Sequence, residues 1–141
     1  MELLIDSNVV LDVILNREPF FDASEKVLRL GIRPDITTYV SAASVTDIYY
    51  IAYRTLHDHA AVRNLIGRLL SIMKIADVNS EHIKIAYDLN WRDFEDSVQY
   101  SIAKSNGMDG IVTRNMKGFR ESDVKIFTPE EILEFIKSQE E

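Results

Sequence analysis

Four aspartates occupy positions where a carboxylate could do chemistry. Asp6 closes the apolar stretch Glu2-Leu-Leu-Ile5 and precedes a helical pattern over residues 8–15. An aspartate there either caps the helix or serves as a metal ligand or nucleophile, and position alone leaves both open. Asp93 and Asp96 are three residues apart on the next candidate helix start, so they share a face. They also have the spacing of a capping box with Asp in place of Glu, which accounts for Asp93 and leaves Asp96 open. Asp47 points away from the middle of the stripe Val45, Ile48, Tyr49, Ala52 and Leu56, as a solvated carboxylate does. Its neighbours Tyr50 and Ile51 are apolar, which predicts less exposure than the stripe alone implies.

Other reactive groups are scarce. There is no cysteine among the 141 residues, which excludes thiol nucleophiles, disulfides and Cys-type zinc sites. His57, His59 and His82 lack a metal-binding spacing such as His-Glu-x-x-His and read as surface or capping residues. Tyr49, Tyr50 and Tyr53 have the helical spacing of core packing rather than of a base-stacking platform. Arg114, Lys117 and Arg120 form a basic run after an apolar strand; such runs are usually solvated loops, but one beside an acid site can contact phosphate.

The elements that position these groups alternate. Strands are predicted at 2–5, 36–40, 74–78, 110–113 and 124–127, and helices at 8–15, from Pro19 to about Leu30, at 41–56, 58–73, 80–89, 93–105 and from Thr128 onward. Alternation predicts an α/β fold, a parallel sheet covered by helices on both faces, in one domain over residues 1–141. Functional residues of such sheets gather beyond the carboxyl ends of the strands, where Asp6 and the Thr113-Arg114-Asn115 segment lie. Acids in the first fifteen residues rule out a signal-peptide core, and no apolar run approaches the roughly 20 residues of a membrane span. The expectation is a cytoplasmic chain with no membrane partner. Lys and Arg total 16 against 23 Asp and Glu, a net charge of −7. That argues against nucleic acid unless the acids hold cations that face the phosphates.

Four segments in order resemble one known family. Asp6-Ser-Asn-Val-Val-Leu-Asp12 is similar to the PIN-domain opening D-x-N-V-x-L-D, and Ser41-Ala-Ala-Ser-Val-Thr-Asp47 to the family's mid-chain helix with an acid in its second turn. Asp93-Phe-Glu-Asp96-Ser-Val-Gln resembles D-x-x-D-A at the start of a later helix, and Ile111-Val-Thr-Arg-Asn115-Met-Lys-Gly-Phe119 resembles I-x-T-R-D/N-x-x-x-F. The resemblance implies a three-layer α/β/α sandwich around a mainly parallel sheet. It also implies an endoribonuclease dependent on Mg²⁺ or Mn²⁺, VapC-like toxins of toxin–antitoxin pairs being among the family. Carried over by position, the catalytic and metal-binding acids are Asp6, Asp47 and Asp96, with Asn115 at a fourth ligand position that is often Asp. Asn8, Asp93 and Thr113 would support them, and Arg114, Lys117 and Arg120 would contact RNA. The implied partners are RNA, a second copy of the chain in a homodimer, and an antitoxin protein.

Elementary electrostatics agrees. Clustered carboxylates repel and raise one another's pKa; a divalent cation relieves this, and Mg²⁺ takes a few oxygens while keeping several waters. Two alternatives stand beside this expectation. A haloacid-dehalogenase-like phosphohydrolase would need an acid where Asn8 stands. A degenerate module that binds RNA or protein without cutting is compatible with the neutral Asn115.

Overall fold

The computed structural model describes all 141 residues. Five strands form one sheet in the order β3-β2-β1-β4-β5, every neighbouring pair parallel. They are β1 (Glu2–Ile5), β2 (Thr37–Ser41), β3 (Lys74–Ala76), β4 (Gly110–Val112) and β5 (Ile126–Phe127). Seven helices connect and cover them: α1 (Ser7–Ile14), α2 (Phe21–Arg29), α3 (Ala42–Leu56), α4 (His59–Leu70), α5 (Ser80–Leu89), α6 (Phe94–Ser105) and α7 (Pro129–Gln139). None is long and apolar enough to cross a membrane.

The alternation of side chains along β1 builds two cores. Leu3 and Ile5 point to one face, into a cluster with Val27, Ile48, Leu69 and Ile132 from α2, α3, α4 and α7. Leu4 points to the other, into a cluster with Ala86 of α5 and Val98, Ile102 and Ala103 of α6. Each of these three β1 side chains is fully buried, a burial that contributes roughly 1.5–3 kcal/mol apiece. The three-layer sandwich expected from the resemblance is the architecture observed, with a sheet that is wholly parallel.

Capping residues set where the helices start. Ser41 accepts from the Ser44 N–H, Asp58 from that of Ala61, and Thr128 and Glu131 form a reciprocal capping box. His82 closes the same kind of box with Asn79, and its Nε2 meets Ser105 Oγ at 2.8 Å. It is therefore a capping residue, but a buried one and not at the surface. Pro19 does not open α2, which begins at Phe21. The segment after β4, legible only as a loop, contains a 3₁₀ turn over Met116–Phe119 anchored by buried Phe119. The tyrosines of α3 are not core: Tyr50 is exposed, and Tyr49 and Tyr53 stack on His59 with centroids 6.0 and 4.1 Å away. Phe94 has the helical spacing of Val98 and Ile102 but is half exposed where they are buried.

Candidate active site

Chain order makes β1 the pivot of the sheet: β2 and β3 are laid down on one side of it, β4 and β5 on the other. The carboxyl ends of β1 and its two neighbours lie side by side at one edge of the sheet, the place where such sheets bind ligands. Asp6 follows β1 directly, Ser41 ends β2, and Thr113 follows β4.

Asp6 is both a helix cap and a site residue. Its Oδ1 accepts from the Ser7 N–H at 2.8 Å, and its Oδ2 accepts from Thr113 Oγ1 at 2.8 Å. The Thr113 hydroxyl in turn accepts from Asn8 Nδ2 at 3.3 Å and from the Asn115 N–H at 3.0 Å, so its single proton is directed to Asp6. Asn8 Oδ1 accepts from the Arg114 N–H at 3.3 Å. Asn8 and Thr113 thus brace the loop after β4 against the start of α1.

Asp93 caps α6 by accepting from the Asp96 N–H at 3.0 Å. The return bond of a capping box, from the Asp93 N–H to the Asp96 side chain, is not made, unlike those of α5 and α7. The Asp96 carboxylate is therefore not spent on closing the cap; it is buried, and Asn115 Nδ2 donates to its Oδ2 at 3.3 Å. The backbone of Gly118 closes on the same oxygen, with no room for a β-carbon.

These acids share one electrostatic field. Burial, and then the charges of Asp6, Asp93 and Glu95, push the Asp96 carboxyl up to about 7. Asp6 is also raised, chiefly by burial, against the opposing hydrogen bonds from Thr113, Ser7 and Gln99. Glu95 is raised by desolvation, then by Asp6, Asp47 and Asp93. Asp47 is exposed, as the apolar stripe of α3 predicts, and Tyr50 and Ile51 do not shield it in the way their apolar character predicts. No three of these carboxyls stand close enough together to hold one ion in common. Asp6 and Asp96 are the two of these that the fold buries.

Arg114 differs from expectation. Its Nε and Nη2 donate to Asp12 at 2.7 and 3.0 Å, and its guanidinium lies 3.8 Å over the ring of Phe20. Asp12 is fully buried in α1 and also accepts from Ser24 Oγ. The pair ties the loop after β4 to α1, so most of the guanidinium is committed within the protein rather than to phosphate. Lys117 and Arg120 are exposed, and with Arg92 they line a cleft whose other walls include Trp91, Asp93 and Asn115. None of these three cations pairs with a carboxylate of the chain.

Sequence reasoning missed Asp12, Glu95, Arg92, Gly118 and Gln99. Gln99 stands one turn after Asp96 in a row of buried positions on α6, and a glutamine in such a row was the available signal.

The chain is thus a wholly parallel α/β/α layer with one buried acid directly after its pivot strand and another in the first turn of α6. The model of the PIN domain family matches residues 2–117, and the chain belongs to that family. It is 25% identical over 138 residues to Ribonuclease VapC1 of Aquifex aeolicus (strain VF5), covering 94% of each. Among solved structures it is similar to VapBC-1 from nontypeable Haemophilus influenzae, with TM-score 0.70 at 16% identity over 92% of this chain and 99% of that one. A toxin-antitoxin complex from Klebsiella pneumoniae gives TM-score 0.67 at 18% identity over 90% and 97%.

Proposed function

We propose that the chain is a divalent-cation-dependent endoribonuclease in which Asp6 and Asp96 carry the cation, Mg²⁺ or Mn²⁺. The observation that carries this is the pair itself: two buried carboxyls at the pivot of the sheet, one of them raised to about 7 by burial and by neighbouring acids. Such a site is unfavourable empty of positive charge, and its donors are the hard oxygens these cations prefer. Mg²⁺ keeps several waters and needs only one or two protein carboxylates, which suits a site where no three acids converge. The amide oxygen of Asn115 would be a further ligand, and Asp47, exposed on α3, would act on the ion only through its bound waters. When bound, the cation activates water for attack on phosphorus and stabilises the charge that develops on the phosphate.

The chain's own residues do the rest. Thr113 fixes the rotamer of Asp6, Asp93 holds the first turn of α6 that presents Asp96, and Asn8 secures the Thr113 loop. The RNA backbone runs along the cleft of Arg92, Lys117 and Arg120, whose unpaired cations offset the chain's net charge of −7 where it matters. Arg114 acts there indirectly, by holding the loop.

The similarity to a protein named a ribonuclease and to a toxin–antitoxin complex supports a toxin whose activity a neighbouring antitoxin restrains. By family resemblance a second copy of the chain is also a partner, which sedimentation above 16.2 kDa would reveal. The neutral Asn115 favours one other reading, an RNA-binding module that does not cut. Cleavage itself separates the two, and the product ends test the nucleophile: attack by water leaves no 2′,3′-cyclic phosphate, whereas cyclic ends would mean that the ribose hydroxyl attacks. Intact RNA retained on the protein in Mn²⁺ would support the module.

A further inference from the structure

Gln99 is 2% exposed, and its Oε1 is the one buried side-chain polar atom of the protein without a hydrogen-bond partner. Burying an acceptor in this way is unfavourable. A leucine at the position would pack beside Val98 and Ile102 with nothing left unpaired.

The other end of the amide shows what the glutamine does. Its Nε2 lies 3.3 Å from Asp6 Oδ1 and 3.3 Å from Ser44 Oγ, donating to both. With Asp6 ionised the amide keeps this orientation, because turned over its Oε1 would face a carboxylate oxygen, two acceptors in contact. Asp6 follows β1. Ser44 stands on α3 one turn before Asp47, and Gln99 stands on α6 one turn after Asp96. One amide therefore joins the three elements that carry the three acids. Ser44 is itself fixed, through Ser41 Oγ at 2.9 Å, to the end of β2.

The same bond limits Asp6. Oδ1 accepts from both the Ser7 N–H and Gln99, and Oδ2 accepts from Thr113. Of the about four acceptor directions of a carboxylate, a single one on Oδ2 is left.

We propose that Gln99 is a positioning residue for cation binding. It holds Asp6 so that one acceptor direction of Oδ2 stays open, and it ties Asp6 to the helices that carry Asp47 and Asp96. This rests on the cation-dependent function proposed above.

The test compares Gln99→Leu and Gln99→Met with the wild-type protein. Both fill nearly the same space and remove the donor together with the stranded acceptor. Melting without metal should hold or rise in both, while Mn²⁺ affinity, read by calorimetry or by the spin resonance of free Mn²⁺, falls about tenfold or more, the usual loss when a residue that orients a metal ligand is removed. Unchanged Mn²⁺ affinity in either well-folded variant would overturn the role of Gln99 and leave the proposed function standing. An affinity that falls only in step with a lost melting temperature would also overturn it, marking Gln99 as structural. Failure of the wild-type protein to bind Mn²⁺ at millimolar concentration would overturn the cation-dependent function itself, and the role of Gln99 with it.

Discussion

Gly118 lies so close to the Asp96 carboxylate that a β-carbon on it would overlap Oδ2. The obstruction is the end of a side chain, not backbone, so Gly118→Ala should fold and push the carboxylate aside. Displacing a reacting group by about 1 Å can cost on the order of a hundredfold in rate. The expected outcome is a loss of cleavage of that order with a melting curve close to wild type, checked by parallel rate and thermal-melt measurements. Full activity would mean that Asp96 works from elsewhere.

The Asp12–Arg114 pair should respond unequally to the loss of either partner. Asp12 is fully buried and the Arg114 side chain is 27% exposed. Arg114→Met leaves a buried carboxylate uncompensated, which costs about 3–5 kcal/mol when a buried pair is broken from one side. Asp12→Asn leaves a guanidinium that can turn to water, and should cost clearly less. Urea unfolding of both variants decides; equal costs would contradict the asymmetry of burial.

Metal-free stability should depend on the charge of Asp96. Its folded pKa is about 7 against a usual 3.8, so the folded chain holds this proton more tightly than the unfolded one. The associated stability is full below about pH 4 and is lost as pH rises toward 7. Asp35 and Asp123, whose carboxyls are held below the usual range by Arg33 and Lys104, act in the opposite sense. The difference between wild type and Asp96→Asn removes these common contributions. Melting in chelator should show Asp96→Asn gaining on wild type across that window, and added Mn²⁺ should close the gap for wild type.

The cleft cations should appear in salt dependence. For single-stranded RNA, each phosphate contact contributes about 0.7 to the slope of log affinity against log salt. Replacing Arg92, Lys117 or Arg120 by Gln should each lower the slope by about that amount, measured by anisotropy in chelator. Lys84→Gln, on the exposed face of α5, is the control expected to change nothing.

Most of the architecture was legible because apolar runs and caps are local signals. Leu3, Leu4 and Ile5 announce a buried strand, and Ser41, Asp58, Asn79 and Thr128 announce helix starts. The site was legible only in part. Asp93 and Asp96 looked like two halves of one capping box, and only the fold shows that the second half is not made and that Asp96 turns inward. Arg114 looked like a phosphate contact because its partner Asp12 is 102 residues away in sequence. Tyr50 and Phe94 have the spacing of core residues but lie on faces that no element covers. Gly118 and Gln99 act through contacts across the chain, which periodicity does not encode.

Cleavage of RNA by Asp6 and Asp96 through a bound cation requires that activity, cation and both carboxylates stand or fall together. The most direct measurement is cleavage of single-stranded RNA by the purified protein across a Mn²⁺ titration, with and without excess chelator, for wild type and for Asp6→Asn. Wild type should cut only with Mn²⁺ and stop in chelator, while Asp6→Asn stays folded and inactive at every Mn²⁺ concentration. Cleavage by wild type that persists in excess chelator, or an Asp6→Asn variant that cuts at the wild-type rate, would contradict the account.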